Sequence, residues 1–166
     1  MRRTVQDDWV VNASPVIILA RVGRLDLLSG LAVRVFVPEA VATEILSGSG
    51  DPARDAIHGG WGVRREVQVP AAVSEWGLGR GESAVLGLAL ELGARAVVDD
   101  RSARRCAAAL GVPVIGTLGV IARAKRSGLI EAAGPVVRSV IEAGLFYDDA
   151  SIGALLRGLG EDWRPS

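Results

Sequence analysis

The stretch Val97–Ile130, VVDDRSARRCAAALGVPVIGTLGVIARAKRSGLI, decides the class of fold. A short apolar run, Ala96–Val98, leads into it and reads as a buried strand. Arg101–Leu110 follows with helical spacing, and Gly111 is placed to cap its end. Val112–Ile115 is again apolar and β-branched and makes the fifth strand of the chain, Ala96–Val98 being the fourth. Thr117–Arg126 returns to helical spacing, with Gly128 beyond it. Strand, helix, strand, helix is the repeating unit of a parallel sheet, because parallel neighbours need a crossover and a helix supplies one.

Outward from this stretch the alternation continues. Trp9–Val11 reads as the first strand and Ala13–Leu28 as a helix with a break near Gly23. Val33–Val37 is a second strand. Pro38 suits the first turn of a helix, which runs to about Leu46 and stops at a Gly48–Gly50 turn. Asp51–His58 is a short helix. Gly62–Val69 alternates through Val63, Arg65, Val67 and Val69 and reads as the third strand. Gly79–Leu92 is a helix ending at Gly93. Two further helices are expected at Pro135–Ala143 and Asp148–Leu159. No repeat, low-complexity tract or linker divides the chain. The expectation is one domain over 1–166, with its motif-bearing core at about 8–130 and C-terminal helices at 131–160. Strands alternating with helices predict an α/β fold whose open parallel sheet is covered on both faces.

Composition sets bounds on function. The 166 residues are 49% hydrophobic and 23% charged, with a formal net charge of zero, so nucleic-acid binding would rest on a local patch. The basic residues are almost all arginine, which grips phosphate well. Cys106 is the one cysteine, which excludes an intrachain disulfide and a cysteine-based zinc site. Val16–Ala20 is too short to span a bilayer. Asp7 and Asp8 interrupt the basic start, unlike a signal peptide. A cytoplasmic location is expected.

Ligands of open α/β sheets bind beyond the carboxyl ends of the strands. Asn12 and Ser14 follow the first strand, Asp99 and Asp100 the fourth, and Thr117 the fifth. Glu44 falls on the stripe of Ala40, Val41 and Ile45, and Glu82 one turn before Val85 on the stripe of Ala89 and Leu92. Each could be a solvated stripe edge. Together, converging acids would repel one another, and a hard divalent cation would relieve that repulsion. Such a metal activates water and stabilises charge on a phosphodiester.

Four segments carry a resemblance to PIN-domain proteins, especially a subgroup opening with a strand and an Asp/Asn-x-Ser-Pro motif. These are VVNASPVIILARVGRLDLL, VPEAVATEIL, LGRGESAVLGLALELGA and the quoted stretch itself. The resemblance covers about Val10 to Ile130. It implies a three-layer α/β/α sandwich with a five-stranded parallel sheet, and Mg²⁺- or Mn²⁺-dependent endoribonuclease chemistry acting on RNA. It further implies the toxin of a toxin–antitoxin pair, held by a small antitoxin and forming a homodimer. The catalytic and metal-binding acids it implies are Glu44, Glu82 and Asp100, with Asn12 at the first position and Asp99 assisting Asp100. Ser14 would hydrogen-bond at the site. The family's usual first residue is aspartate, and an amide in its place should weaken metal affinity.

Plainer readings stand beside these. Asp100 and Ser14 can be helix starts, and Thr117 a cap. Cys106 sits among alanines and reads as core, and His58 as a loop residue. Gly79-Arg-Gly81 lacks the full dinucleotide-binding pattern. Arg101, Arg104 and Arg105, or Arg123, Lys125 and Arg126, could line an RNA path through phosphate contacts or simply be solvated. Among these, Arg101, Arg104, Ser14 and Thr117 are the expected substrate contacts. The alternative function is a PIN-like module, weak or inactive in catalysis, that binds RNA or protein. A phosphoacceptor receiver domain is set aside because its acidic pair should follow the first strand.

Overall fold

The computed structural model describes residues 6–48 and 51–165. Five strands form one sheet in the order β3-β2-β1-β4-β5, and all four pairings are parallel. The strands are β1 (Trp9–Val11), β2 (Val35–Pro38), β3 (Val63–Arg65), β4 (Arg95–Val97) and β5 (Val114–Ile115). The helices are α1 (Ala13–Arg21), α2 (Asp26–Leu31), α3 (Glu39–Ser47), α4 (Pro52–His58), α5 (Ala71–Ser74), α6 (Arg80–Leu92), α7 (Arg101–Leu110), α8 (Thr117–Arg126), α9 (Gly134–Glu142) and α10 (Asp149–Gly158). Successive residues of a strand face opposite sides of the sheet. Trp9, Val10 and Val11 are all 0% exposed, so helices cover both faces and the fold is a three-layer α/β/α sandwich.

The helix expected over Ala13–Leu28 is two helices. Gly23 at φ 69° turns the chain, and α2 then runs on to Leu31. Pro38 lies at the end of β2 and caps α3 rather than opening its first turn. The turn expected at Gly48–Gly50 falls partly outside the described residues. The third strand is the largest departure. It spans Val63–Arg65 alone, and all three residues are exposed. Its register explains the truncation: Arg65 pairs with Pro38, where β2 ends and α3 begins. Beyond that point there is no neighbour to continue the ladder. Val67 and Val69 leave the sheet and lie against α6, where a side chain at Gly87 would meet Pro70 and both valines. Helix α5, next along the chain, has no counterpart among the expected elements.

One cluster of buried apolar side chains runs from Trp9 to Leu156. Helix α6 is central to it, packing on β1, β2, β4 and α3, and is buried over Ser83–Ala89. The amino end of the sheet is closed by charge pairs. Asp7 accepts from Trp9 Nε1 and Arg95 Nε, both at 2.8 Å, and Asp8 holds the Arg34 guanidinium at 2.7 and 3.1 Å. Among the described residues no helix is long and apolar enough to cross a membrane.

Candidate active site

Strand β1 lies between β2 and β4, so the chain leaves it in one direction for β2 and returns on the other side as β4. A crevice opens beyond the carboxyl ends of strands at such a switch point. Asn12 is the first residue past β1, and its N–H donates to the Val97 carbonyl at 3.1 Å, tying the two strand ends together. Asp99 and Asp100 follow β4 on the same side.

Asn12 is only 4% exposed. Its Nδ2 donates to Glu82 Oε1 at 3.3 Å, while its Oδ1 is buried and has no hydrogen-bond partner. An orphaned buried oxygen of this kind costs about 1–3 kcal/mol. That oxygen faces a gap left by glycine. A Cβ at Gly81 would stand 3.2 Å from Asn12 Oδ1 and 3.0 Å from Glu44 Oε2. Glu82, the third residue of α6, curls back into the space that a side chain at Gly79 would fill. Three distant segments, after β1, in α3 and at the start of α6, therefore bring oxygens to one place.

Negative charge gathers there. The Glu44 carboxyl is pushed above its ordinary range, first by desolvation and then by the charge of Glu82. Among the described residues none of Glu44, Glu82, Asp99 or Asp100 forms an ion pair, whereas the acids at the amino end of the sheet do. Glu44 is the more exposed of the two glutamates: the buried face of α3 is Val41, Ala42 and Ile45, and Glu44 reaches the site from its edge.

Asn12, Ser14, Glu82, Asp99 and Asp100 line one cavity of about 310 Å³. Glu44 and Arg80 line a larger cleft, about 820 Å³, and Glu82 faces both. Asp100 also caps α7, its Oδ2 accepting the Ala103 N–H at 2.9 Å. Asp99 is turned onto α8. Its Oδ1 accepts the Thr117 N–H at 2.7 Å and the Tyr147 hydroxyl at 3.0 Å, and its Oδ2 accepts the Thr117 hydroxyl at 2.6 Å. Thr117 is 0% exposed, so the expected direct substrate contact gives way to a positioning one: both its donors hold Asp99. Arg101 and Arg104 are exposed on α7, and Arg104 lies against the Tyr147 hydroxyl. Cys106 is fully buried, and burial pushes its thiol up, as suits a core residue.

Among the described residues no three His, Cys, Asp or Glu side chains gather closely enough to hold a metal ion by themselves. The oxygens that do converge are mixed, an amide carbonyl with carboxylates of Glu44 and Glu82, and Asp100 on the wall of the shared cavity. An all-oxygen set with one orphaned buried carbonyl fits a hard cation that retains water ligands. The sequence reading gave no site role to Tyr147, Gly81 or Arg80. Of these, only Gly81 could have been read locally, as the residue beside Glu82.

An open parallel sheet with acids at its switch point suits a fold of the nuclease type. The PIN-domain family profile matches residues 8–161, and the chain belongs to that family. The match extends past the motifs at Val10–Ile130 to take in α9 and α10. Nucleases of this fold are hydrolases that generally use divalent metals. No curated protein matches the chain.

Proposed function

We propose that the protein is a divalent-metal-dependent endoribonuclease, and that it acts as the toxin of a toxin–antitoxin pair. The observation that carries this reading is the buried, unpartnered Oδ1 of Asn12, set beside Glu44 and Glu82. Asn12, Glu44, Glu82 and Asp100 would hold Mg²⁺ or Mn²⁺. Bound there, such an ion supplies Lewis-acid stabilisation and a nucleophile from water at neutral pH. The chain's own residues do the rest. Glu82 and Glu44 concentrate negative charge, and Asn12 Nδ2 fixes the Glu82 carboxylate. Asp100, with one oxygen engaged in capping α7, lines the cavity. Thr117 and Tyr147 hold Asp99 behind it. Arg101, exposed on α7, and Arg80, which lines the larger cleft, offer contacts to RNA phosphates, and Ser14 a hydroxyl at the cavity wall. Cytoplasmic location, a small antitoxin and a homodimer belong to the same proposal.

Cleavage of single-stranded RNA with Mg²⁺ or Mn²⁺ tests it. Activity should fall at least 100-fold in Glu82→Gln and in Asp100→Asn, on the scale of losing a group that acts in the transition state, with the fold retained by circular dichroism. A well-folded wild type that cuts no RNA in a diverse set with either metal would remove the reading.

A second reading has its own observation. Asn12 lacks the charge of aspartate, and no three acids gather unaided. A PIN domain weak in catalysis that binds RNA or protein would then bind equally well with and without a chelator.

A further inference from the structure

Phe146 is 93% exposed, while the next most exposed large hydrophobic among the described residues, Val33, is 57%. Its position is held firmly. Leu145 before it is buried, its N–H donating to the Val140 carbonyl at 2.9 Å. Tyr147 after it is anchored to Asp99 at 3.0 Å. The backbone between α9 and α10 is thus clamped on both sides, and the phenyl ring is held out in water. It lines the same cavity as Asn12, Ser14, Glu82 and Asp100.

We propose that Phe146 is a stacking platform for a nucleobase of single-stranded RNA next to the scissile phosphate. This rests on the nuclease reading above. A base one nucleotide from a phosphodiester held at the acids would fall within this cavity. A lone ring suffices for that purpose, because every base has a π face. A protein partner would call for more. Interface cores are contiguous apolar patches, and the other large apolar residues lining this cavity, Ile18 and Leu145, are buried. Among the described residues lining this cavity, Phe146 is the one exposed large apolar side chain, which suits a single stacked base.

The test is fluorescence anisotropy with labelled single-stranded oligoribonucleotides, in Ca²⁺ to slow cleavage, on the full chain. Phe146→Ala should weaken binding about 5- to 150-fold, the scale of one base–aromatic stack, and Phe146→Trp should restore it. An oligomer with one abasic position at the site should bind wild type and Phe146→Ala alike. Equal affinity of wild type and Phe146→Ala for intact RNA would overturn the stacking role and leave the nuclease reading standing. So would a change in oligomeric state on Phe146→Ala with RNA affinity unchanged, which would assign the ring to contact between copies. A wild type that binds no RNA and cuts none would remove both.

Discussion

Asn12 and Glu82, seventy residues apart in sequence, share a hydrogen bond of 3.3 Å that leaves the amide oxygen of Asn12 buried and unsatisfied. The amide thus faces a carboxylate with its donor and the Gly81 gap with its acceptor. Aspartate at this position would exchange the donor for a third negative charge. We expect Asn12→Asp to lose about 1–3 kcal/mol of metal-free stability. Mn²⁺ should raise the Tm of this variant more than that of wild type, since ligand binding to the folded state adds stability. Thermal melts of both proteins with and without Mn²⁺ check the pair of effects. An Asn12→Asp protein as stable as wild type without metal would contradict the burial argument.

Glu44 bears the complementary cost. Its carboxyl is raised by desolvation and by Glu82, so the folded state holds this proton more tightly than the unfolded chain does. The contribution to stability is therefore present at acid pH and lost as pH rises through the folded value. Glu44→Gln should raise the Tm of the metal-free protein at pH 7, and the gain should shrink toward pH 4. Mn²⁺ should stabilise the variant less than wild type. A Glu44→Gln benefit that is the same at both pH values would rule out charge as its origin.

Tyr147 is the one tyrosine, so its phenol can be titrated alone. Burial and the adjacent Asp99 push it up to about 12. The folded protein should show no phenolate absorbance as pH passes 10. Stability should decline as pH rises from about 10 toward the folded value. Tyr147→Phe should cost roughly 1.5–3 kcal/mol, as for a hydrogen bond to a charged group. Ultraviolet titration reads the first directly, and a phenol ionising near 10 in the native state would show that Asp99 does not hold it.

Gly81 keeps the gap open. Its backbone, at the second residue of α6, accepts alanine, but the added Cβ would crowd Asn12 Oδ1 and Glu44 Oε2. Gly81→Ala should therefore fold with little change in Tm while Mn²⁺ binding falls about tenfold or more. Calorimetric titration with Mn²⁺ measures this, and unaltered affinity would place the metal elsewhere.

Most of the architecture was readable along the chain. Strand and helix differ in hydrophobic period, so VVDDRSARRCAAALGVPVIGTLGVIARAKRSGLI declares its own alternation, and glycines mark where α6 and α7 end. Errors arose where an element depends on a partner. Val63–Val69 has the pattern of a strand, yet β3 stops at Arg65 because β2 stops at Pro38. Asp99 and Asp100 are adjacent in sequence and look equivalent. Only their surroundings separate them: both line the cavity, but both oxygens of Asp99 are held by Thr117 and Tyr147, whereas Asp100 gives one oxygen to capping α7.

What the chain determined alone was local: the α/β class, the order of elements, and which acids follow strands or stand on helix faces. Tertiary structure decided which of those acids meet, because Asn12, Glu44 and Glu82 are brought together only by packing α3 and α6 at the sheet's switch point. It also decided what each polar group does there. Burial, charge and hydrogen bonding at a site are set by neighbours from distant parts of the chain, and no local spacing records them.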